Sequence, residues 1–530
     1  MTNRPSPAGG SAASPEPDQA PLVPPEPDPS NTDGRTQTDG HRDGDGDGLR
    51  ERAVSGVLWT AVEKWSVRLS TLVGFIVLGN LLSPLAFGIV ALAMTFISFL
   101  ETVADGGFAG YLVQKKKLTD ASVHTAFIVS SSMALLLSVG LVALAPPASE
   151  LLDVPELRRV LPALAVYLFI AGMSVVPAAL MSREMRFKQL AMRQMTATAI
   201  SIAVAIGLAV GGAGVWALVG QSLTRAVVSF IALWVTSDFR PRWYFDRAEA
   251  RVMTAYGSKA LAVNLQTQVR TQGELFIIGA LAGPTTLGFW TVAGRLVGVV
   301  VDVFSSVVGA VAHPLFARLQ DAPERLARAV GTTRALTALV LVPALVLTSL
   351  VSKDVVPAVF GDQWTPTTTV ASILALSALL QTVGNFDRSA LLATGHPGAE
   401  LWVTTVFLVI QLTLAVMFHD DLVKLAIGVG ISMALAVPVR LLLVRRLLHV
   451  PARGFAPTAA VFLAGGLAAA AVVAAEALLG LEGVAYVALA VVVGLVVYAG
   501  VVMLVARPVA MELVGIARGV LQRRSRTKAA

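Results

Sequence analysis

The chain is a succession of long apolar runs, most of twenty residues or more, separated by short polar stretches. Wound as a helix at about 1.5 Å per residue, such a run crosses the ~30 Å hydrocarbon layer of a bilayer. No water there can satisfy backbone N–H and C=O groups, so spanning runs of this length must be helices. Fourteen runs are read, near 55–80, 84–107, 121–145, 158–181, 192–211, 213–236, 255–281, 284–311, 332–351, 366–390, 399–418, 422–444, 456–479 and 483–506. The fold class expected is all-α, a polytopic integral membrane protein. Composition agrees, with 55% hydrophobic and only 14% charged residues and a mean hydropathy of +0.72. The absence of cysteine excludes disulfides, thiolate metal sites and cysteine nucleophiles.

Charge in the loops sets the orientation. Lys115–Lys117, Arg183–Arg193, Arg240–Arg251, Arg318–Arg334 and Arg445–Arg453 fall in alternate connections, and the end of the chain adds Arg518 to Lys528. The other connections are short and poor in bases, apart from Arg158 and Arg159 among Glu150, Asp153 and Glu156. Bases mark the cytoplasmic side, so both termini are expected in the cytoplasm and the chain in the plasma membrane. No cleavable signal is read, because the first fifty residues are polar and the first apolar run exceeds a signal-peptide core.

Residues 1–50 hold nine acids and four bases and almost no large apolar residue, so a disordered tail is expected. Within it, Asp43-Gly44-Asp45-Gly46-Asp47-Gly48 imitates the start of a calcium loop, but Val54 stands where the bidentate acid is needed. Leu82-Ser83-Pro84-Leu85-Ala86-Phe87-Gly88-Ile89 and Ala282-Gly283-Pro284-Thr285-Thr286-Leu287-Gly288-Phe289 share the pattern Pro-x-x-apolar-Gly-apolar, each opening an apolar run. Proline at a first helical turn loses no hydrogen bond, and glycine one turn later admits a close neighbour. The repetition implies two six-helix lobes, at 51–245 and 246–450, related by a pseudo-twofold axis along the membrane normal. Two further helices (451–506) are read as peripheral, followed by a basic tail (507–530).

Ionisable groups in mid-bilayer usually line a polar path or meet a partner. Arg68, Arg225, Arg270 and Arg295 fall near the middle of their runs, and Lys64 stands one turn before Arg68. In the seventh run Lys259, Gln266, Arg270 and Glu274 recur at helical spacing, and Asn264, Thr267, Gln268, Thr271 and Gln272 make it too polar for lipid. That helix is expected to line a cavity. A purely structural alternative pairs Arg270 with Glu274, Arg295 with Asp302, and Glu63 with Lys64. Glu101, Asp105, Asp387 and Arg388 lie near cytoplasmic ends, where water is expected to reach them. Pro177, Pro343 and Pro438 fall inside runs, as bends would require. No nucleotide loop, metal-ligand spacing or nucleophile beside a base is found, so no enzyme, cofactor or metal is expected. Asp420-Asp421 only superficially imitates a membrane glycosyltransferase signature.

Leu81–Ala93, Leu287–Leu296 and Pro314-Leu315-Phe316-Ala317-Arg318-Leu319-Gln320 resemble, in order, three motifs of polysaccharide flippases. These form the Wzx-like polysaccharide-transport branch of the multidrug/oligosaccharidyl-lipid/polysaccharide exporter superfamily. The resemblance, over roughly 52–450, implies a V-shaped pair of lobes around a cationic cavity. It also implies alternating access and flipping of undecaprenyl-pyrophosphate-linked glycans for lipopolysaccharide or exopolysaccharide. Arg68, Arg270 and Arg295 would then hold the pyrophosphate, with Arg225, Lys64 and Lys259 contributing charge. Gln266 and Gln268 would face the glycan, and Glu274, Asp302 or Glu63 would carry a coupling ion. Polysaccharide polymerase and glycosyltransferases are the expected partners of a monomer that binds no nucleic acid. A drug/cation antiporter of the same fold is the alternative, ahead of a membrane polysaccharide ligase or polymerase.

Overall fold

The computed structural model describes residues 43–318, 323–447 and 455–511. The expected basic tail lies almost wholly outside them. The contacts separate Met1–Arg52 from Ala53–Ala530. The repeated motif does locally what its residues require. Ser83 caps the helix that begins at Pro84, accepting from the Ala86 N–H, and Gly283 takes a φ of +83° just before Pro284.

Among the described residues fifteen α-helices follow one another: α1 (Asp43–Leu81), α2 (Pro84–Asp105), the short α3 (Phe108–Gln114), α4 (Asp120–Leu151), α5 (Leu157–Arg183), α6 (Phe187–Val210) and α7 (Val215–Thr236). Then come α8 (Arg247–Ile277), α9 (Gly283–Arg318), α10 (Pro323–Phe360), α11 (Thr365–Ala393), α12 (Pro397–Met417), α13 (Leu422–Leu447), α14 (Ala456–Leu479) and α15 (Gly483–Val505). No strand occurs among the described residues. Among the described residues twelve segments are long and apolar enough to cross a membrane, so the count of fourteen is not confirmed. The expected spans at 255–281 and 284–311 form a single such segment, Arg247–Asp302, joined through a π-helical turn at Ile278–Ala282. The expected first span lies in α1, whose middle carries Glu63, Lys64 and Arg68 and is less apolar for it. α1 also begins at Asp43, so the tail reading can hold only for 1–42, outside the described residues. Pro177, Pro343 and Pro438 lie inside α5, α10 and α13, which continue past them.

The lobes repeat their neighbour relations. In the first, α4 packs on α5, α5 on α7, α6 on α7 and α2 on α5; in the second, α10 packs on α11, α11 on α13, α12 on α13 and α9 on α11. The lobes meet where α2 lies against α9. A Cβ on Gly88 would stand 1.6 Å from the Pro284 carbonyl oxygen, and one on Gly288 would stand 2.0 Å from that of Pro84. The two copies of the motif therefore pack on each other, glycine against proline carbonyl. Around them a shared core gathers Phe87, Ile89, Trp290 and Trp364, and the Trp364 indole N–H donates to the Gly79 carbonyl at 2.8 Å.

A second set of contacts ties the first lobe to α8. Gly257 meets the backbone of the α2–α3 junction, where Gly106 and Gly107 have φ of +52° and +75°. Lys115 donates to Glu249 of the first α8 turn at 2.7 Å, and Tyr111 donates to the same carboxylate at 3.1 Å. Partial burial opposes the Lys115 charge, but its bonds to Glu249 and Tyr111 outweigh this and raise its pKa.

Helices α14 and α15 both pack on α10, where Lys353 pairs with Glu476 and the Gly483 N–H donates to Asp354 at 2.9 Å. The Asp420-Asp421 pair is a helix start: Asp421 accepts from the Val423 and Lys424 N–H groups at 2.8 and 3.1 Å. Those bonds stabilise its charged form and lower its pKa.

Candidate functional site

Helix α8 is polar on two sides, and each side meets a cavity. Toward the first lobe, Asn264, Thr267 and Gln268 join Ser98, Glu101 and Asp105 of α2 around a cavity of about 450 Å³. Gln268 donates its amide to the Ser98 carbonyl at 2.8 Å, and Tyr167 of α5 donates to Glu101 at 3.2 Å. Toward the second lobe, Arg270, Thr271 and Glu274 open on a larger cavity of about 500 Å³. Its other walls come from α10, α11, α12 and α13, with Phe455, Thr458, Ala459 and Phe462 at the start of α14. The expectation that this helix lines a cavity is met twice over.

The second-lobe cavity is charged. Arg334 of α10 and Asp387 of α11 pair at 3.2 Å, with side chains only 1% and 3% exposed. Phe455 lies under the Arg334 guanidinium at 4.3 Å. Glu400 of α12, 6% exposed, accepts from Arg440 of α13 at 2.9 Å and stands 3.7 Å from the Nε of Arg388, which is 46% exposed. Thr404 donates to the same Glu400 oxygen at 2.9 Å. Glu274 accepts from the Gln411 amide of α12. Arg270 has no ion pair among the described residues, and the charges acting on it are those of Arg388, Glu400 and Arg440. Burial of such groups costs several kcal/mol per ion unless each is compensated. Arg334 and Asp387 compensate each other, as do Glu400 and Arg440, and Arg270 stands outside both pairs.

The other expected site residues lie elsewhere. Arg68 is 3.8 Å from Asp302 of α9 and over the ring of Trp65. This replaces the alternative pairing of Asp302 with Arg295, which is exposed. Glu274 likewise meets Gln411 in place of Arg270. Glu63 acts on Arg193 of α6, and Arg225 lies near Tyr167. Lys64 and Gln266 are exposed, and neither lines either cavity. The side chains of Lys259 and of Pro314–Arg318, together with residues 319 and 320, lie outside the described residues. The arginines expected at one centre are thus divided, Arg270 in the second-lobe cavity and Arg68 at the α1–α9 contact. Asp387, expected within reach of water, is buried.

Arg388, Glu400 and Arg440 were not read as site residues. Arg440 falls inside an expected span, and the rule that singled out Arg270 applies to it equally. Glu400 stands in the first turn of α12, where an acid is ordinary at a helix start, and no local signal sets it apart.

Twelve apolar segments among the described residues, in lobes repeated about a central contact with two cavities beside α8, define a multi-pass membrane protein. The family described as polysaccharide biosynthesis protein matches residues 77–369, more than half of the chain, and the chain belongs to that family. It is 26% identical over 301 residues to the succinoglycan biosynthesis transport protein ExoT of Rhizobium meliloti (strain 1021), covering 57% of this chain and 61% of ExoT. The match to the lipopolysaccharide biosynthesis protein WzxC of Escherichia coli (strain K12) is 23% identical, over 65% of this chain and 70% of that one. For the teichuronic acid biosynthesis protein TuaB of Bacillus subtilis (strain 168) the figures are 24%, 69% and 76%. The fold is that of the lipid II flippase MurJ in its inward closed conformation. The TM-score is 0.71 at 10% identity, over 86% of this chain and all of that one. An inward-facing multidrug resistance MATE family transporter of the MOP superfamily superposes at a TM-score of 0.56 and 16% identity, over 72% of this chain and 94% of that one.

Proposed function

We propose that the protein is a flippase that moves an undecaprenyl-pyrophosphate-linked oligosaccharide across the plasma membrane for surface polysaccharide assembly, by alternating access. The observation that carries the reading is Arg270: a guanidinium on a helix too polar for lipid, facing the second-lobe cavity with no ion pair among the described residues. Arginine's fork of donors suits phosphate oxygens. The family and the names of ExoT, WzxC and TuaB support a polysaccharide precursor as cargo. Arg68 and Arg295 complete the set of cations along the path, Gln268 faces the glycan from the first-lobe cavity, and Glu274 carries a coupling ion beside Arg270. The lobes divide near residue 245, and both termini lie in the cytoplasm. A cation antiporter would bind its cargo on cavity acids; in the second-lobe cavity Asp387 and Glu400 are engaged with arginines, which leaves Glu274.

The test is a flipping assay. The full chain, reconstituted in liposomes, receives a fluorescent undecaprenyl-pyrophosphate-linked oligosaccharide, and dithionite quenches whatever reaches the outer leaflet. Quenching should exceed the protein-free level and fall to it with Arg270→Gln. Full activity in Arg270→Gln, or no flipping by the unaltered protein, would remove the reading.

A further inference from the structure

We infer that the linker between α7 and α8 is a membrane-docking surface: Trp243, Tyr244 and Phe245 enter the headgroup layer of the cytoplasmic leaflet, and Arg242, Arg247 and Arg251 hold the phosphates of its anionic lipids. The choice of leaflet rests on the orientation expected from loop charge; the contact itself rests on neither that orientation nor the flippase reading. The linker runs from the end of α7 at Thr236 to the start of α8 at Arg247, and both helices belong to segments long and apolar enough to cross a membrane. Its residues therefore lie at the edge of the bilayer. Trp243 is 97% exposed, the most of any large apolar side chain among the described residues, and Tyr244 and Phe245 beside it are 52% and 51% exposed. Three adjacent aromatic rings turned out of the protein make a patch that calls for a partner. Trp and Tyr suit a boundary between lipid and water, with an apolar ring and a polar edge. Val235 of α7 and Val252 of α8, on the adjoining ends of the two helices, are exposed as well.

The patch is held in place. On one side of the three rings the Arg242 N–H donates to Nδ1 of His124 in α4 at 3.2 Å, and on the other the Asp246 N–H donates to the Thr125 hydroxyl at 3.0 Å. Phe239 packs against Phe127 and His124, with ring centres 5.5 and 5.6 Å apart. Both ends are thus fixed to the first lobe, and the rings between them project. Charge selects an anionic lipid surface as the partner. The acids of this stretch are all engaged within the protein: Asp238 pairs with Arg186 at 2.8 Å, Asp246 caps α8, and Glu249 pairs with Lys115 at 2.7 Å. Arg240 donates to the carbonyls of Ser237 and Phe239. Arg242, Arg247 and Arg251 are exposed, and their guanidiniums have no ion pair among the described residues. Each arginine near an anionic leaflet adds about fivefold to the affinity.

The experiment uses the full chain with Tyr244→Cys, which introduces the only cysteine, carrying a nitroxide label in nanodiscs that hold single copies. The discs are phosphatidylcholine alone or an equal mixture with phosphatidylglycerol. Both faces of a disc have the same lipids, so the result does not depend on orientation. Collisions with oxygen, which concentrates in lipid, and with a neutral nickel chelate in water locate the label. In the mixture the ratio of oxygen to nickel collisions should rise about threefold or more over phosphatidylcholine alone. Arg242→Gln, Arg247→Gln and Arg251→Gln together should return it to the phosphatidylcholine value, as should high salt. Trp243→Ser should lower it in both lipids. If the triple variant does not fold, the single changes decide, each removing part of the rise. An equal ratio in the two lipids would overturn the inference, as would a rise that survives loss of the arginines or a ratio indifferent to Trp243→Ser. Protection that appears only in discs holding two copies would make the linker a contact between copies and sink the lipid reading. Failure here leaves the flippase reading to the dithionite assay, which decides it alone.

Discussion

Glycines 88 and 288 carry the sharpest consequences at the scale of single residues. A methyl at either position would overlap a backbone carbonyl of the opposite lobe, which no side-chain rotation relieves. Gly88→Ala or Gly288→Ala should each cost about 1–3 kcal/mol or more, as overpacking does. The drop would be read as a lower unfolding midpoint in detergent, while Gly466→Ala, open to space in α14, serves as the control. The buried pair Arg334–Asp387 makes a second prediction. Arg334→Met strands Asp387 and should cost about 3–5 kcal/mol, and adding Asp387→Leu should recover most of that loss. The Pro-x-x-apolar-Gly motif was legible in the sequence because proline and glycine impose their backbone demands locally. Partners of charges were not. Spacing along one helix suggests Arg270 with Glu274, whereas the Glu274 carboxylate meets Gln411, brought in by the fold from α12. Nothing near Glu400 in the sequence shows that two arginines from other helices reach it.

Among the elements, α8 was the most readable and α14 the least. The polar residues of α8 exclude it from lipid whatever it packs on, so a cavity followed from composition alone. Helix α14 is a run of Ala, Val, Gly and Leu with one acid, which reads equally well facing lipid or cargo. Only the fold shows that its first turns wall the charged cavity and that Gly465 approaches Val342 of α10. Ending the chain after residue 454 should therefore lower the unfolding midpoint and abolish flipping in the reconstituted assay. Retention of both would return α14 and α15 to a peripheral role. The two counts of spans differ at two places: the sequence separates the runs at Gly283 and includes the charged α1, whereas the apolar segments of the structure join across the π-helical turn and leave α1 out.

Orientation belongs to the molecule as a whole. Bases crowd alternate connections, so a single cysteine placed at residue 116 or 245 should react with an impermeant maleimide only after the inner face is opened. The native chain contains no cysteine to confuse the result. Labelling of intact cells at either position would invert the topology. Deletion of residues 1–42 should leave membrane insertion and flipping unchanged, since a segment with so little apolar surface builds no core.

The mutual seating of the two Pro-x-x-apolar-Gly motifs has a mechanical meaning. When two stiff bodies rock against each other, displacement is least at their tightest contact and grows with distance from it. If the lobes rock as the proposed alternating access requires, the Gly88–Gly288 contact is the fulcrum and the Lys115–Glu249 bond sits away from it. A covalent tether across α2 and α9 beside the fulcrum should leave transport running. The same tether between residues 115 and 249 should stop it, although both join the same two lobes.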